Sequence, residues 1–554
     1  MKSFINKIYI LLIAIFLFSC GSDDNEVVPP PPAPTLTVED LSVSVMENPE
    51  TNSIIGQFEV TQDNLTNPLV FELLSVSPTG AVTLDNTGQL LVANTTVFDF
   101  ERQNTISGEI RVSSGELSQT ATFTLNVLNV DEPFITRWNL TGGNLTVQLP
   151  LYEGTAEDPT QYNFTVVWGD GTTGEVTSFD DPDARHTYAT EGNKLITITG
   201  TLRGFSFGEN ETSREQLVNV TRWGDMRLGN AGGQFRRCTN LATFSATDTP
   251  ILTEVTNASL MFELATAFNG NISSWDVSNI TNMNFMFAGA TAFNSDISNW
   301  DVSSVTTMAA MFFGASVFNG NISSWNVSNV TDMLQMFNLA STFNQDISNW
   351  NVSNVINMTF MFSDATSFNQ DISSWDVANV TDMSRMFQRA SVFNQDLSGW
   401  DVSNVTTMRS MFSEASSFNG NISNWDVGNV NNMTSMFSRA SSFNQDLSNW
   451  NTSSVNFMVS TFFAAVNFNG NISGWNVSNV TRMDQMFNFA RDFNQDISNW
   501  NVSNATNMNS MFSGASVFSQ DLSNWATDNV TSCENFANGS ALTAAQVPTR
   551  GICF

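Results

Sequence analysis

Few residues in this chain are suited to acid, base or nucleophilic chemistry. His186 is the only histidine among 554 residues, and only four cysteines occur. A catalytic triad or a zinc site with histidine ligands would have to use His186 alone. The abundant carboxylates recur at fixed positions, and identical repeated acids do not form one site with separate acid and base roles. We therefore expect that the protein is not an enzyme.

Arginine is the residue type whose placement points to binding. The chain has 53 acidic and 20 basic residues and a formal net charge of −33, which disfavours binding to nucleic acid or anionic lipid. Arginine is enriched at protein interfaces, so the predicted partner-binding residues are four arginines that this chain, poor in basic residues, places at variable and exposed positions of its predicted helices: Arg385, Arg389, Arg409 and Arg439. The alternative is that they simply pack against adjacent helices.

The elements that must position these arginines are repeats. Tryptophan recurs every 25 residues eleven times, from Trp275 to Trp525. Methionine eight residues later and phenylalanine twelve and eighteen residues later keep the same period. Such a period is typical of a solenoid in which equivalent residues of neighbouring units lie on one another. The methionines are candidates for copper ligands, but their alternation with phenylalanine on an inward face favours core packing.

Each unit predicts a strand followed by a short helix. Residues 297–305 alternate apolar and polar side chains around Trp300, as a half-buried strand does. The spacing i, i+3, i+4 and i+7, which fits one face of a helix, is then shown by Met308, Met311, Phe312 and Ala315. The unit is therefore predicted to run from strand to helix to return loop.

Aspartate and asparagine share the position after each tryptophan, as at Asp301 and Asn326. Mixing the two is expected to let side-chain amides bond along the stack while limiting repulsion between carboxylates. Carboxylate pairs that bind Ca²⁺ between units are the alternative.

The repeat W-D-V-S-N-V-T-x-M-x-x-M-F-x-x-A-x-x-F-N-Q-D-I-S resembles that of the BspA-like leucine-rich repeat surface proteins over residues 235–554. The resemblance implies a right-handed solenoid, a cell-surface location, and a role in adhesion or partner binding. The predicted fold class is α+β overall, with two N-terminal all-β sandwiches followed by a right-handed leucine-rich-repeat-like β/α solenoid.

The N-terminal residues predict secretion. Residues 1–19 combine two lysines with an apolar run of eleven residues, as a signal peptide does. Cys20 is the candidate lipidated residue, because it ends a tetrapeptide that resembles a bacterial lipobox, Leu17-Phe18-Ser19-Cys20. The acidic and proline-rich segment 20–34 predicts a linker, and its start is similar to the export signal of surface lipoproteins in the Bacteroidetes. The alternative is a transmembrane anchor, for which the apolar run is short.

Residues 35–133 alternate short strands with turns and predict a β-sandwich. Three motifs in this segment resemble a cadherin-like repeat: Glu47-Asn48-Pro49, Phe98-Asp99-Phe100-Glu101 and residues 126–133. In that family the matching acidic groups bind Ca²⁺, so the resemblance implies the ligands Glu47, Asp99, Glu101 and Asp131. The alternative is four solvated carboxylates beside turns.

Residues 134–222 predict a second sandwich. A W-G-D-G-T turn at residues 168–172, followed by His186-Thr187-Tyr188, resembles a PKD-like domain, in which the histidine turn packs against the tryptophan turn. Such domains are usually spacers or adhesive modules. A packing role is therefore expected for His186.

The repeats are expected to be capped at both ends, because an open stack end exposes apolar edges. Residues 223–249 predict the N-terminal cap, residues 250–535 the 25-residue repeats, and residues 536–554 the C-terminal cap. A disulfide bond between Cys533 and Cys553 would suit an exported protein. Two buried thiols are the alternative.

The predicted function is that of a bacterial lipoprotein, anchored in the outer membrane and exposed at the surface, which serves as an adhesin or protein-binding scaffold. The solenoid would be presented on a stalk of β-sandwiches. The expected partners are the membrane, through the lipid anchor, and an extracellular protein or glycan, with Ca²⁺ the one cofactor suggested. The alternative is a glycan-binding lipoprotein of a polysaccharide uptake system.

Overall fold

The computed structural model describes residues 30–100, 102–208 and 212–554. Residues 30–130 and Asp131–Phe554 form two separate compact units. Within these described ranges two short 3-10 turns occur, Thr95–Val97 and Pro182–Ala184. All named strands precede residue 223, and they are β1 Thr35–Val38, β2 Leu41–Met46, β3 Ile54–Gln57, β4 Val60–Asp63, β5 Val70–Ser77, β6 Val82–Leu84, β7 Gln89–Val92, β8 Thr105–Ser114, β9 Leu117–Leu128, β10 Phe134–Leu140, β11 Thr146–Gln148, β12 Gln161–Val167, β13 Thr173–Val176, β14 Arg185–Thr187, β15 Gly192–Arg203 and β16 Leu217–Arg222.

The first unit has three sheets. Strands β2, β9, β8 and β5 form one sheet in that order, β3, β7 and β6 form a second, and β1 pairs with β4. Burial alternates along β9, so that Ala121, Phe123, Leu125 and Val127 lie on one buried face. These residues share one apolar core with Phe58.

The second unit begins with another set of sheets. Strands β13, β12, β15, β10 and β16 form a five-stranded sheet, and β11 pairs with β14. Trp138 of β10 is fully buried, and its indole N–H donates to the Thr136 hydroxyl at 2.8 Å. The polar end of this large side chain is thus satisfied inside the core.

These strands lead directly into the repeats. Arg203 at the end of β15 forms a parallel bridge with Arg227, which bridges in turn to Ile251. One buried core runs from Phe134 to Phe536 through the strands and the repeats. The β-strand region therefore covers the first face of the repeats, which would otherwise expose apolar side chains.

Residues 250–535 form a stack of 25-residue coils, called here the coil stack. Equivalent residues of neighbouring coils form single parallel bridges, such as Thr307 with Asp332, from Asn257 to Ser532. The structure describes this whole range, and it contains no α-helix and no strand longer than one bridge. The predicted α+β class with a right-handed leucine-rich-repeat-like β/α solenoid is therefore wrong, as are the strand at 297–305 and the helix after it.

The physical reason is an alternating hydrogen-bond pattern. The N–H groups of Met311 and Ala315 donate to the carbonyl three residues earlier in their own coil, as in a tight turn. Those of Ala310, Phe312 and Gly314 donate to the next coil at 2.7 to 3.0 Å. Ala310 and Gly314 have φ of +54° and +65°, so left-handed residues interrupt what would otherwise become a helix.

The inward residues nevertheless stack as their period predicts. Trp300 and Trp325 lie parallel with ring centroids 6.5 Å apart, and the Trp325 indole N–H donates to the Ile297 carbonyl of the preceding coil at 3.1 Å. Within one coil, Phe312 and Phe318 stack at 3.9 Å. This confirms the predicted stacking of tryptophans in neighbouring coils.

The C-terminal end of the coil stack is closed by residues 536–554. The structure places a disulfide bond between Cys533 and Cys553, whose Cα atoms are 5.9 Å apart. The Leu522 N–H donates to the Gln546 carbonyl at 2.8 Å, and the rings of Phe536 and Phe554 meet edge to face. The closing segment therefore covers part of the last coil.

Removing this disulfide should loosen the end of the coil stack. The bond closes a loop of 20 residues, so a Cys533→Ser, Cys553→Ser variant is expected to lose about 3 kcal/mol of stability, chiefly because its unfolded chain is less constrained. Thermal unfolding of both proteins, with and without reductant, measures the effect. The disulfide would have no stabilising role if reductant lowered the unfolding midpoint of the variant as much as that of the wild type.

Candidate partner-binding face

The outward residue after each tryptophan closes a turn in its own coil. Asp301 accepts a hydrogen bond from the Ser303 N–H at 3.0 Å, and Asn351 accepts one from Ser353 at 3.1 Å. The Ser303 hydroxyl and N–H lower the pKa of Asp301. The predicted bonding of these side chains from coil to coil is therefore wrong, because the Oδ1 of each closes a turn within its own coil.

A different asparagine forms the ladder between coils. The Asn294 side chain accepts a hydrogen bond from the Asn319 N–H at 2.8 Å, and Asn319 accepts one from Asn344 in the same way. Gln395 adds a bond from its amide to the Asn369 carbonyl at 2.8 Å. This role was not predicted from the sequence, although the asparagine that follows the second phenylalanine of every unit from Phe268 to Phe493 is its signal.

Variation between coils is concentrated on a second set of outward positions. We call the residues nine, ten and fourteen positions after each tryptophan the variable face. The tenth and fourteenth positions are left-handed in every coil, as at Phe360 and Asp364 or Ser410 and Glu414. Leu339 and Phe489, at the fourteenth position, are 44% and 46% exposed. One constant backbone therefore presents charged, small and apolar side chains side by side.

The four predicted arginines lie on this face within three consecutive coils. The Arg385 N–H donates to the Arg409 carbonyl at 2.8 Å, which places these two residues in direct contact through their backbones. The Arg385 guanidinium lies 4.8 Å from the ring centre of Phe360, and that of Arg439 lies 5.6 Å from the ring centre of Phe463. Cation–π contacts of this kind hold an arginine without neutralising its charge.

The other two arginines, Arg389 and Arg409, differ in whether a carboxylate lies beside them. Arg389 lies between Glu414 at 3.3 Å and Asp364 at 3.7 Å, and Glu414 raises its pKa. Arg409 is exposed and, within the ranges that the structure describes, has no carboxylate partner. The face thus holds three arginines without an ion pair, Arg385, Arg409 and Arg439.

Two of the four predicted calcium ligands, Glu47 and Asp99, bond to other groups of the first unit. The two carboxylate oxygens of buried Glu47 accept hydrogen bonds from the N–H groups of Phe100 and Val130. Asp99 forms an ion pair with Arg102 at 3.1 Å. Glu101 lies outside the described residues, and Asp131 belongs to the other unit. Among the residues described, no three acidic, histidine or cysteine groups meet as a metal site would require.

His186 packs in the turn that the PKD-like resemblance indicated. Its ring stacks on Trp168 at 5.1 Å, and its Nε2 lies 2.8 Å from an Asp170 carboxylate oxygen. The Thr172 hydroxyl donates to the other oxygen of Asp170 at 2.6 Å, and the Tyr188 hydroxyl donates to the Trp168 carbonyl. These bonds hold the two turns together.

This network predicts a loss of stability in acid. The Thr172 hydroxyl and then His186 lower the pKa of Asp170 to about 2, against about 3.9 in an unfolded chain. Because the folded pKa is the lower one, the contribution of Asp170 is complete above pH 4 and disappears as the pH falls towards 2. The difference in unfolding midpoint between wild type and Asp170→Asn should therefore shrink between pH 4 and pH 2, and a constant difference would contradict this assignment.

The first unit also has an open cleft of about 750 Å³. Phe58 and Phe71 form part of its apolar wall, and the side chains of Asn64, Asn67 and Asn86 lie around it. Amide groups beside an apolar surface can bind a neutral polar ligand. These residues were not predicted as a site, because they come together from the β3–β4 and β4–β5 connections, from β5 and from the β6–β7 turn.

Cys20, the predicted lipidation site, lies outside the described residues. Among the helical segments in the described ranges, none combines the length and apolar character that a bilayer span requires.

Four segments of the chain match one family, described as "Mycoplasma protein of unknown function, DUF285". They are residues 232–340, 320–419, 396–473 and 448–548, which together span more than half of the 554 residues. No curated protein sequence matches the chain. The resemblance to BspA-like leucine-rich repeats is not confirmed by these comparisons.

Several solved structures that resemble part of the chain are cadherin ectodomains. Domains 3–6 of protocadherin gamma B2 share 14% identity over 31% of this chain and 39% of that chain, with a TM-score of 0.16. Human CDH23 EC21–23 shares 13% identity over 27% and 55%, with a TM-score of 0.19. Mouse cadherin-23 EC22–24 shares 13% over 32% and 56%, with a TM-score of 0.18. The chain thus spans less than two thirds of these proteins, and at such TM-scores the likeness carries no functional conclusion.

Proposed function

We propose that this chain, which belongs to the family described as "Mycoplasma protein of unknown function, DUF285", is a non-catalytic scaffold at the bacterial surface. In this proposal the chain binds other proteins through the variable face. The observation that carries this proposal is the contrast between a constant frame and variable outward positions. The buried tryptophans and phenylalanines and the asparagine ladder recur from coil to coil, whereas residues such as Leu339, Arg409 and Phe489 do not.

The chemistry of the variable face supports binding to protein. Arginines that lie on aromatic rings and half-exposed Phe489 are side chains that protein interfaces favour, and Leu339 adds exposed apolar surface beside them. The backbone beneath them is bonded from coil to coil and changes little when a partner binds, so little ordering cost opposes association. A rigid face of this kind suits adhesion or scaffolding.

The location at the surface rests on the N-terminal sequence. The run that ends in Cys20 resembles a lipobox, and the proline-rich segment after it would hold the two units away from the membrane. Labelling with a radioactive fatty acid tests this part, because a Cys20→Ser variant should lose the label that the wild type acquires. Equal labelling of both proteins would reject the lipid anchor at Cys20.

Adhesion of coated beads tests the binding function. Beads that carry the protein should adhere to a panel of immobilised extracellular proteins, and a Leu339→Ser, Arg409→Ser, Phe489→Ser variant should lose most of that adhesion. A matched control changes three exposed residues outside the face, Asn349→Ser, Asn449→Ser and Asn499→Ser, and should adhere like the wild type. Equal adhesion of all three proteins, or none above uncoated beads, would contradict the proposal.

Glycan binding is a second candidate, favoured by the cleft of the first unit. We infer that Asn64 and Asn86 would bond to a neutral sugar whose apolar face lies on Phe71. Calorimetry with a panel of neutral oligosaccharides should show binding that an Asn64→Ala, Asn86→Ala variant loses. No binding by the wild type would remove this candidate and leave the variable face as the only proposed site.

A further inference from the structure

We propose that one partner of the variable face is a second copy of this chain, bound through an aspartate triplet on the other copy. The triplet consists of the residues that follow three consecutive tryptophans, Asp376, Asp401 and Asp426. This inference rests on the proposed function and names a partner for the same face. It is carried by the number of arginines and aspartates without an ion pair and by the three consecutive coils that both sets share in the middle of the coil stack.

The two sets of charges belong to the same three coils. Aspartate follows Trp375, Trp400 and Trp425, whereas the next three tryptophans, from Trp450, are followed by asparagine. Arg385, Arg409 and Arg439 lie nine to fourteen residues after the same three tryptophans. Each of the three coils thus presents an arginine at one place on its circumference and an aspartate at another.

The aspartates retain a free acceptor. Each is exposed and uses Oδ1 to accept an N–H bond within its turn, from Ala378 at 3.1 Å, Ser403 at 3.0 Å and Gly428 at 3.0 Å. In Asp401 the carboxylate also accepts a bond from the Ser403 hydroxyl. Because a carboxylate has about four lone-pair sites, each aspartate keeps acceptor capacity for another donor. A guanidinium is the donor whose geometry fits a carboxylate best.

The arginines match the aspartates in number. Of the four on the variable face, Arg389 is already paired with Glu414 and Asp364. Within the described ranges the other three make no ion pair, while the rings of Phe360 and Phe463 support two of them. Three arginines therefore face three aspartates when two copies lie side by side in register.

Two further features favour a second copy of the chain as the partner. Both copies repeat with the same period along the stack, so each coil that carries an arginine can lie level with a coil that carries an aspartate, and the long arginine side chain spans the difference between the ninth, tenth and fourteenth positions. The net charge of −33 opposes association between two copies. At physiological salt, however, charges more than about 8 Å apart are largely screened, so the contacts between adjacent groups determine whether two copies associate. Because the two sets occupy different parts of a coil, the contact is heterologous and leads to open rows rather than closed dimers.

Each exposed ion pair contributes little, so self-association in solution is expected to be weak. Copies anchored to one membrane are held at high local concentration, which makes a weak contact effective. The predicted assembly is therefore a lateral row of copies at the surface.

Sedimentation velocity over a concentration series tests the inference in 0.15 M salt. The average sedimentation coefficient of the wild type should rise with concentration. Two variants reverse the charges: the arginine variant carries Arg385→Asp, Arg409→Asp and Arg439→Asp, and the aspartate variant carries Asp376→Arg, Asp401→Arg and Asp426→Arg. Each should need a protein concentration at least about ten times higher to reach the same average sedimentation coefficient. An equimolar mixture of the two variants should associate again, because each then supplies what the other lacks.

A matched control separates the triplet from net charge. Asp371, Asp396 and Asp446 also accept an N–H bond two residues on but lie in another column, and changing them to arginine adds the same charge. That control should self-associate at least as strongly as the wild type. Tryptophan fluorescence verifies that every variant is folded.

The inference fails if the wild type stays monomeric at every concentration, if the single variants associate normally, or if their mixture does not recover. Bead adhesion to other proteins that still depends on Leu339, Arg409 and Phe489 would then show that only self-recognition is wrong. If adhesion is lost too, the proposed function fails with it.

Discussion

Replacing Phe387 by alanine is expected to lower the free energy of unfolding of the coil stack by about 3 to 5 kcal/mol. The ring is fully buried and stacks on Phe393 at 4.1 Å in its own coil, and on Phe362 at 5.7 Å and Phe412 at 5.6 Å in the two neighbours. Hydrogen bonds hold neighbouring coils at a fixed separation. The cavity left by alanine therefore cannot collapse, and its full cost is expected.

Denaturant unfolding followed by tryptophan fluorescence measures this effect, because eleven of the 14 tryptophans lie in the repeats. Phe489→Ala is the matched control, since the same side chain is 46% exposed there. The control should lose about 1 kcal/mol or less. Similar losses in the two variants would mean that Phe387 does not belong to a continuous core.

Replacing Ser435 by proline is expected to destabilise the coil stack by about 4 kcal/mol. Ser435 has a φ of +56°, which a proline ring cannot adopt, and its N–H donates to the Val459 carbonyl of the next coil at 2.8 Å. Proline thus removes one bond between coils and forces the backbone out of its left-handed turn. Amide hydrogen exchange should show the faster exchange concentrated in the coils around this residue.

Ser435→Gly is the control for this variant. Glycine keeps the N–H and adopts positive φ at no steric cost, so exchange in the surrounding coils should stay slow. If proline were tolerated as well as glycine, the bond from Ser435 to Val459 would not contribute to the stability of the coil stack.

Burial in the repeats could be predicted from the sequence, but backbone conformation could not. Met308, Met311, Phe312 and Ala315 are all fully buried, as their spacing implies. The same spacing also fits consecutive tight turns, whose bonds join residues three apart. Apolar periodicity alone does not distinguish a helix from such turns, because it is silent about which carbonyl each N–H reaches.

One sequence signal favoured the turns over a helix. The tenth position after tryptophan is occupied by residues such as Phe285, Ala310 and Ser435, and the fourteenth by Gly314 or Arg389. Neither position holds valine, isoleucine or threonine in any coil from 275 to 524. β-Branched residues are the ones that positive φ disfavours most, so their absence marks the left-handed positions.

The candidate site was only partly predictable. The four arginines were identified from their rarity in an acidic chain, and three of them lie without an ion pair on the described surface. The pairing of Arg389 with Glu414 depends on which residues lie 25 positions apart on neighbouring coils. The use of Asp401 to close its own turn follows from local geometry that composition does not reveal.

The stability of two variants at Ser435 tests most directly whether left-handed turns build the frame of the variable face. In a helix, alanine would stabilise relative to serine, and glycine would be the worse of the two by about 1 kcal/mol. In a left-handed turn the order reverses, because only glycine avoids the steric cost of positive φ. We predict that Ser435→Gly unfolds at a higher denaturant concentration than the wild type and that Ser435→Ala does not. Stabilisation by alanine together with destabilisation by glycine would contradict this account of the repeats.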